Sequence, residues 1–531
     1  MRRDDGSATQ TGTAHTEAVP TEPAAATAPR RGPEAVRAVL PPACREVGQL
    51  WIDGEWRPAS TGATFDTIDP TTGRHLYTVA AASTADVDAA VDAARRASAR
   101  WWAMDGQDRA RILRRIADAL RAHAPQLGLL DTLDAGRPIR DTQTRDVERA
   151  ARIFEFFAGV TDRLRGANIP GQPGFVNLTR YEPYGVVGAI IPWNYPMTNV
   201  ATKVAPALAT GNGVVLKPAE QTPLSALLIA QVAHDAGLPP GLLNVVNGPG
   251  DETGRAIVAH PGIPKISFTG STEVGRLIGR TCGESLKSVT LELGGKTANV
   301  VFPDADLAAA ADAAVFTAFM NQGQTCTAGT RLLLHDSIAD EFITLVRDRM
   351  ATIEVGDPLR PETQIGPVVS EAQFDRVKSY LSAGLDDGAR LLVGGARPAG
   401  APDAGFFVAP ALFVDVEPTM RIAREEIFGP VLSVLRFGDE DEAIALANGT
   451  PYGLAAAIWT SDVGRVHRFA ERAEAGIVWA NTVHTLHPGS PYGGYKQSGV
   501  GAEMGIEAVT HLMRLKSIWI GTEPWRSPWV G

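Results

Sequence analysis

The sequence predicts an α/β protein of two doubly wound units, each a parallel sheet covered by helices on both faces. Three observations point there. From residue 185, short apolar runs alternate with helical stretches at short intervals, the rhythm of a parallel sheet buried on both sides. After residue 295 the same rhythm starts again. The length, 531 residues, exceeds one ordinary core and suggests two to four units at roughly 100–200 residues each.

Taken in order, residues 1–50 contain no Phe, Tyr, Trp or Ile and are rich in Ala, Thr, Pro, Glu and Arg. Such a segment buries too little apolar surface to offset the entropy of ordering it, so residues 1–45 are expected to be a disordered tail with Cys44 at its edge. Arg2-Arg3 is followed by Asp4-Asp5 and no apolar stretch, which does not suit an export signal. Trp51 to Thr78 reads as short strands, with Asp53-Gly54 as a hairpin turn. Helices are expected at about 84–98, 108–123 and 141–160. In the second of these, Ile112, Ile116 and Leu120 recur at helical spacing.

In the first alternating unit the strands are Val186–Ile191, Val214–Lys217, Leu243–Val246, Lys265–Thr269 and Val289–Glu292. In the second they are Ala298–Phe302, Arg331–His335, Val431–Phe437, Ala455–Thr460 and Gly476–Ala480. Ligands of such sheets bind at the carboxyl ends of the strands. Residues 161–184 and the last twenty fit neither unit.

Composition excludes several classes. Lys plus Arg is 50 and Asp plus Glu 60, a net charge of −10, against the basic excess usual for nucleic-acid binding. Three cysteines, at 44, 282 and 326, without a Cys-x-x-Cys pair, exclude a disulfide scaffold and a cysteine-rich zinc site. No metal site is expected; His484 and His487 lack a partner carboxylate and read as pocket or surface residues. The longest apolar stretches fall well short of the ~18 residues of a membrane span, so a cytoplasmic protein is expected.

A dinucleotide sheet usually carries G-x-G-x-x-G. Gly-x-Gly occurs at 211/213, 248/250 and 499/501, but the sixth positions are Leu216, Thr253 and Met504, and no P-loop is present. Phe268-Thr269-Gly270-Ser271-Thr272 instead lies at a strand-to-helix junction, where Gly270, Ser271 and the helix N-terminus can meet a phosphate; the same residues also suit an ordinary turn and N-cap. Lys217-Pro218-Ala219-Glu220 ends a strand. Its lysine and glutamate can hold adenosine ribose hydroxyls, and the carboxylate repels a 2′-phosphate, favouring NAD over NADP. A solvated loop pair is the alternative.

Cys326 lies in Asn321-Gln322-Gly323-Gln324-Thr325-Cys326-Thr327-Ala328-Gly329, just past a helix, among glycines and small polar residues. Backbone N–H groups there can stabilise developing negative charge and lower the thiol pKa, making a nucleophile; a small buried cysteine fits as well. Glu292 ends an apolar strand before Gly294-Gly295. In an apolar setting its pKa is raised, which suits a general base, and the paired glycines leave room for a bulky ligand over the backbone. Asn194, after Pro192-Trp193, can donate to an oxyanion; standing alone, such a residue is more often part of a turn. Glu426 and Phe428 place a carboxylate and a ring two residues apart, suited to a ribose and a nicotinamide; a helix end stopped by Gly429-Pro430 fits as well.

Together these stretches resemble the aldehyde dehydrogenase superfamily over about residues 48–522. The motifs, in the family's order, are Pro192-Trp193-Asn194, Lys217-Pro218-Ala219-Glu220, Phe268-Thr269-Gly270-Ser271, Leu291-Glu292-Leu293-Gly294-Gly295-Lys296, Gly323-Gln324-Thr325-Cys326, Glu426-Ile427-Phe428-Gly429-Pro430 and Pro491-Tyr492-Gly493-Gly494-Tyr495-Lys496-Gln497-Ser498-Gly499. The resemblance implies a Rossmann-like dinucleotide-binding domain (46–160 and 185–294), a catalytic domain (295–500) and a small β oligomerisation arm (161–184 and 501–525), hence a homodimer or homotetramer. It implies NAD(P)+-dependent oxidation of an aldehyde to a carboxylic acid, with NAD expected and NADP possible. Cys326 would form a thiohemiacetal and then a thioester, Asn194 would hold the oxyanion, and Glu292 would activate the hydrolytic water. Coenzyme A-acylating relatives typically lack this glutamate. Ile191, Pro192, Trp193, Lys217, Glu220, Gly270, Ser271, Leu293, Glu426 and Phe428 would bind the cofactor.

The aldehyde itself stays open. Tyr195, Thr198, Asn199, Thr202, Thr325, Thr327, His484, Leu486 and Tyr492 are expected to line the tunnel, a mixture that selects no substrate. A semialdehyde preference calls for an arginine or lysine there, and the sequence places none. A non-catalytic binding protein and a hydrolase without a redox step are the competing classes; the presence of Cys326, Glu292 and Asn194 argues against the former.

Overall fold

The computed structural model describes residues 31–529, so the tail expected over residues 1–30 lies outside the described residues. The first sheet has five parallel inner strands, ordered Leu243–Val245, Gly213–Lys217, Val186–Ile190, Lys265–Thr269 and Ser288–Glu292. Their side chains are almost all buried, as expected of strands covered on both faces. In chain order the strands run third, second, first, fourth, fifth. The order reverses between Val186–Ile190 and Lys265–Thr269, and a ligand crevice opens at such a switch point. The hairpin Leu50–Ile52 and Glu55–Arg57 closes one edge antiparallel, and Gly499–Val500 closes the other.

The second sheet is parallel throughout Ala411–Val414, Val431–Phe437, Arg331–His335, Ala298–Val301, Ala455–Trp459 and Ile477–Ala480, with Arg390–Val393 antiparallel at its edge. A third sheet pairs Met513–Gly521 with Phe175–Pro183 in full register, and Asn168–Ile169 with the latter. Its exposed apolar side chains include Phe175, Val176, Leu515, Trp519 and Ile520. No helix among the described residues is long and apolar enough to cross a membrane.

The helices start on local signals. Ser83 and Asp86 form a reciprocal capping box on Thr84–Ala103, and Asp105 caps Gly106–Ala122. Several helices escaped the sequence pattern, among them Ala124–Ala135, Glu371–Asp386, Glu440–Asn448 and Val463–Arg472. The first is buried on nearly every side and shows no polar face to mark its period.

Two expected boundaries move. The tail expected to reach residue 45 ends earlier, because Pro33–Val39 is helical and Cys44 is fully buried. Val36, Val39, Leu40 and Cys44 form an apolar stripe at helical spacing, which the absence of aromatic residues concealed. This segment packs on Arg74–Ala80 and Ala124–Ala135. The Tyr77 hydroxyl donates to the Cys44 carbonyl, and Arg31 pairs with Asp69 at 2.9 Å. The arm expected from residue 501 begins only at Met513. Residues 501–512 stay on the first domain, where Met504, Ala508, Val509 and Leu512 are buried in its core.

Leu40→Ala is therefore expected to lower the stability of the first unfolding transition by about 2–5 kcal/mol, the cost of a buried large-to-small change. A tail residue would change it by no more than about 0.5 kcal/mol. A denaturant midpoint indistinguishable from wild type would return Leu40 to the tail.

Candidate active site

The carboxyl ends of the first sheet's strands face the loop carrying Cys326 across a cleft of about 510 Å³. Pro192, Trp193 and Asn194 follow the first strand of that sheet, Gly270 and Ser271 its fourth, and Glu292 and Leu293 end its fifth; the second unit adds Thr325–Thr327, Glu426 and Phe428. All of these line the one cavity.

Cys326 follows a turn of three left-handed residues, Asn321 (φ 51°), Gln322 (φ 58°) and Gly323 (φ 70°). Such values are strained for residues with a side chain. Hydrogen bonds from both halves of the molecule hold the turn. Asn321 Nδ2 donates to the Asn194 carbonyl at 2.9 Å and Gln322 Nε2 to the Gly136 carbonyl at 2.7 Å, while Gln324 Oε1 accepts from Val369 N–H at 3.0 Å. Asn194 Nδ2 donates to the Gln324 carbonyl at 2.9 Å, which leaves its second N–H for a ligand. Tyr195, beside it, reaches Thr325 Oγ1 at 2.8 Å under the Arg137 guanidinium, 4.0 Å from the ring centre. Arg137 is in turn paired to Asp146 at 2.6 Å.

The lowered thiol pKa expected for Cys326 is not what its surroundings impose. Burial pushes the thiol up to about 11, although a 2.9 Å hydrogen bond with the Tyr492 hydroxyl acts the other way. A nucleophilic role for this thiol would therefore call for a base. Glu292 is buried, neither of its oxygens has a hydrogen-bond partner among the described residues, and burial raises its pKa well above the ordinary carboxylate range. The opposing pull comes from Lys203, itself buried and paired with Glu503. Burial brings Lys203 down to about 7. Sequence reasoning missed Lys203 and Glu503. The available signal was a lone lysine within the apolar helix Pro196–Ala209.

Glu426 accepts the Gly295 N–H at 2.9 Å through Oε1, leaving Oε2 free, and burial raises its pKa to about 7. Arg376 and Gln373 hold its loop by donating to the carbonyls of Glu426 and Phe428 at 2.6 and 2.7 Å. The Phe428 and Trp193 rings meet edge-on, centres 5.2 Å apart. Ser271 Oγ accepts from Val274 N–H at 3.3 Å and so caps the following helix. Ile191 and Lys217 are buried at strand ends outside the cleft lining. Lys217 Nζ donates to the Pro218 carbonyl at 3.0 Å and pairs with Glu220 at 3.3 Å. Glu220 lines a different cavity, with Phe65 and Pro249. The space over Gly294 and Gly295, expected to accommodate a ligand, is filled by the protein: a Cβ at Gly294 would meet the Glu426 carboxylate and one at Gly295 the Cys326 carbonyl.

Tyr195, Thr198, Asn199, Thr202, Thr325, Thr327, His484, Leu486 and Tyr492 all line the cavity, and so does Arg149. The tunnel therefore does carry an arginine, contrary to what the sequence offered.

The Aldehyde dehydrogenase family profile matches residues 56–518. The Bacillus subtilis (strain 168) protein DhaS is 45% identical over 477 residues, covering 90% of this chain and 96% of that one. Among solved structures, an aldehyde dehydrogenase from Bacillus cereus in complex with NAD+ is 40% identical with a TM-score of 0.90, covering 94% of this chain and 100% of that one. PnpE from Pseudomonas sp. WBC-3 is 42% identical with a TM-score of 0.89, covering 91% and 99%. The chain belongs to the aldehyde dehydrogenase family.

The Tyr492 hydroxyl favours the thiolate. A hydrogen bond to a charged group is worth about 1.5–3 kcal/mol, or roughly one to two pH units. Tyr492→Phe should shift the pH profile of Cys326 alkylation by iodoacetamide upward by about that amount and slow alkylation at neutral pH. A superimposable profile would show the contact to be incidental.

Proposed function

We propose that this enzyme oxidises an aldehyde to a carboxylic acid with NAD+, through a thioester on Cys326 that water hydrolyses. The observation that carries this reading is the convergence of Cys326, Asn194 and Glu292 on one cleft with Glu426 and Phe428. Glu292, unsolvated and without a hydrogen-bond partner, takes the thiol proton, and the Cys326 sulfur attacks the carbonyl carbon. The free N–H of Asn194 and the Cys326 backbone N–H donate to the oxyanion that forms. NAD+ supplies the hydride acceptor.

The cleft suits that cofactor. Glu426 offers a free oxygen to a ribose, Trp193 and Phe428 offer apolar faces, and Gly270 and Ser271 stand at a helix N-terminus that favours phosphate. The relatives solved with NAD+, PnpE and the Bacillus cereus enzyme, support the choice. Glu220 beside Lys217 disfavours a 2′-phosphate and supports NAD+ over NADP+. Once the thioester has formed and Glu292 has released the thiol proton to solvent, Glu292 takes a proton from water, the hydroxide adds to the carbonyl carbon, the C–S bond breaks with the proton passing from Glu292 to the Cys326 sulfur, and the acid leaves.

Because the base form of Glu292 is required and its pKa is raised by burial, hydrolysis should speed up as pH rises through that raised value. Cys326→Ala should yield no NADH. Glu292→Gln should release acid about 10²–10⁴-fold more slowly and should also slow alkylation of Cys326, because the variant lacks the base for the thiol as well as for water. Full turnover in either variant would refute the mechanism, and NADP+ matching NAD+ in kcat/KM would refute the cofactor choice.

The exposed apolar face of the three-stranded sheet supports a homodimer or homotetramer assembled through this arm. An apolar strand left open to water is a ready association surface. Leu515→Asp with Trp519→Asp should shift the mass measured by light scattering to that of one chain. An unchanged mass would place the interface elsewhere.

A further inference from the structure

Three arginines line the active-site cavity, Arg149, Arg276 and Arg376, and two of them are engaged on the cofactor side. Arg276 donates to Gln497 at 2.6 Å and Arg376 to the Glu426 carbonyl at 2.6 Å. Arg149, on the helix Val147–Ala158, is half-buried and has no hydrogen bond or ion pair to any described residue. Its charge acts on Cys326, Tyr492 and His484, favouring the ionised thiol and phenol and the neutral imidazole. It therefore lines the cavity within electrostatic reach of the nucleophile.

Among the described residues no carboxylate forms an ion pair with it, although its charge also reaches Asp146. Asp146 is paired with Arg137 and Glu503 with Lys203. Glu292 is buried and drawn toward its protonated form. A guanidinium held partly out of water without an acceptor is costly unless an anion joins it. A second group that lines the cavity lacks a partner among the described residues: His484 Nδ1 is buried with no hydrogen bond to any of them, on a residue held at φ 52°. Burial keeps that imidazole neutral, with a pKa lowered to about 3, so it can donate one N–H without adding charge. Arg145, one turn before Arg149, also acts on His484 and adds positive potential.

Building on the aldehyde oxidation proposed above, we propose that Arg149 and His484 form an anion subsite in the substrate tunnel, and that the preferred substrate is an aldehyde carrying a carboxylate at its far end. The carboxylate accepts two parallel N–H bonds from Arg149, the geometry in which guanidinium and carboxylate fit best. This orients the other end of the molecule toward Cys326 and Asn194.

The test compares short ω-oxo acids with n-alkanals of the same chain lengths, using full-length enzyme and NAD+. Wild type should favour the oxo acid in kcat/KM by at least about tenfold at one chain length, the least expected of a charge-assisted hydrogen bond, and the preference should shrink with added salt. Arg149→Met should abolish that ratio, chiefly through KM, and Arg149→Lys should keep part of it. A second readout needs no turnover: a short dicarboxylate should protect Cys326 from iodoacetamide in wild type and not in Arg149→Met. Equal kcat/KM for both classes, a ratio unmoved by Arg149→Met, or protection that survives the substitution would each overturn the proposal. Alkanal oxidation by wild type reports separately on the underlying reaction, so its failure is distinguishable from failure of the subsite.

Discussion

The left-handed turn at Asn321–Gly323 is the constraint on which the site depends. Two residues with side chains at positive φ cost about 1–3 kcal/mol each, so surrounding contacts must hold them. Gln322 bonds to Gly136 and Asn321 to the Asn194 carbonyl, both in the first unit, while Gln324 bonds to Val369 in the second. A Cβ at Gly323 would strike the Gly429 carbonyl and one at Gly295 the Cys326 carbonyl, so those glycines are set by how closely the backbones approach. The turn thus ties the two sheets together, and Cys326 is carried to the carboxyl ends of the first sheet as a consequence.

Burial then sets the charge state of everything around the sulfur. It raises the acids Cys326, Glu292 and Glu426 and lowers the bases Lys203 and Lys296. All five move toward neutrality, the usual response of ionisable groups taken out of water. The proton transfer proposed between Cys326 and Glu292 therefore need not create an isolated charge far from a partner. Lys203 and Glu503 form a pair beside Glu292, so the base can ionise next to an ammonium that offsets its charge. Efficient acid–base work needs pKa values near the working pH, and burial moves Glu292 in that direction.

What was legible in the sequence follows from what short-range pattern encodes. The inner strands of both sheets were readable because strands buried on both faces are continuous apolar runs. Cys326, Glu292, Asn194, Glu426 and Phe428 were nameable because each sits in a short motif at a strand or helix end. The segment 33–45 was misread because composition spoke against it while four spaced apolar residues spoke for it. Residues 501–512 were assigned to the arm because nothing local shows that Glu503 reaches Lys203 across the chain. Gly294-Gly295 announced a close approach, but the sequence could not say that the approaching groups are Cys326 and Glu426 rather than a ligand. Arg149 lies on a helix with an ordinary amphipathic pattern, and only the packing of that helix at the tunnel makes it visible.

The same packing separates the duties of the cleft. The groups nearest the reacting carbon come from loops pinned by backbone hydrogen bonds and glycine contacts, where a side-chain change disturbs two sheets at once. Arg149 stands on a helix surface, where a substitution changes the tunnel's charge without touching the turn that holds Cys326. Arg137, from the segment just before that helix, is committed instead to Asp146 and Tyr195 and belongs to the fixed part. Neighbouring arginines therefore divide between holding the Asn194 loop and presenting charge to whatever enters. Chemistry confined to a rigid loop, with recognition on a helix face, lets such a scaffold change its aldehyde while keeping its reaction.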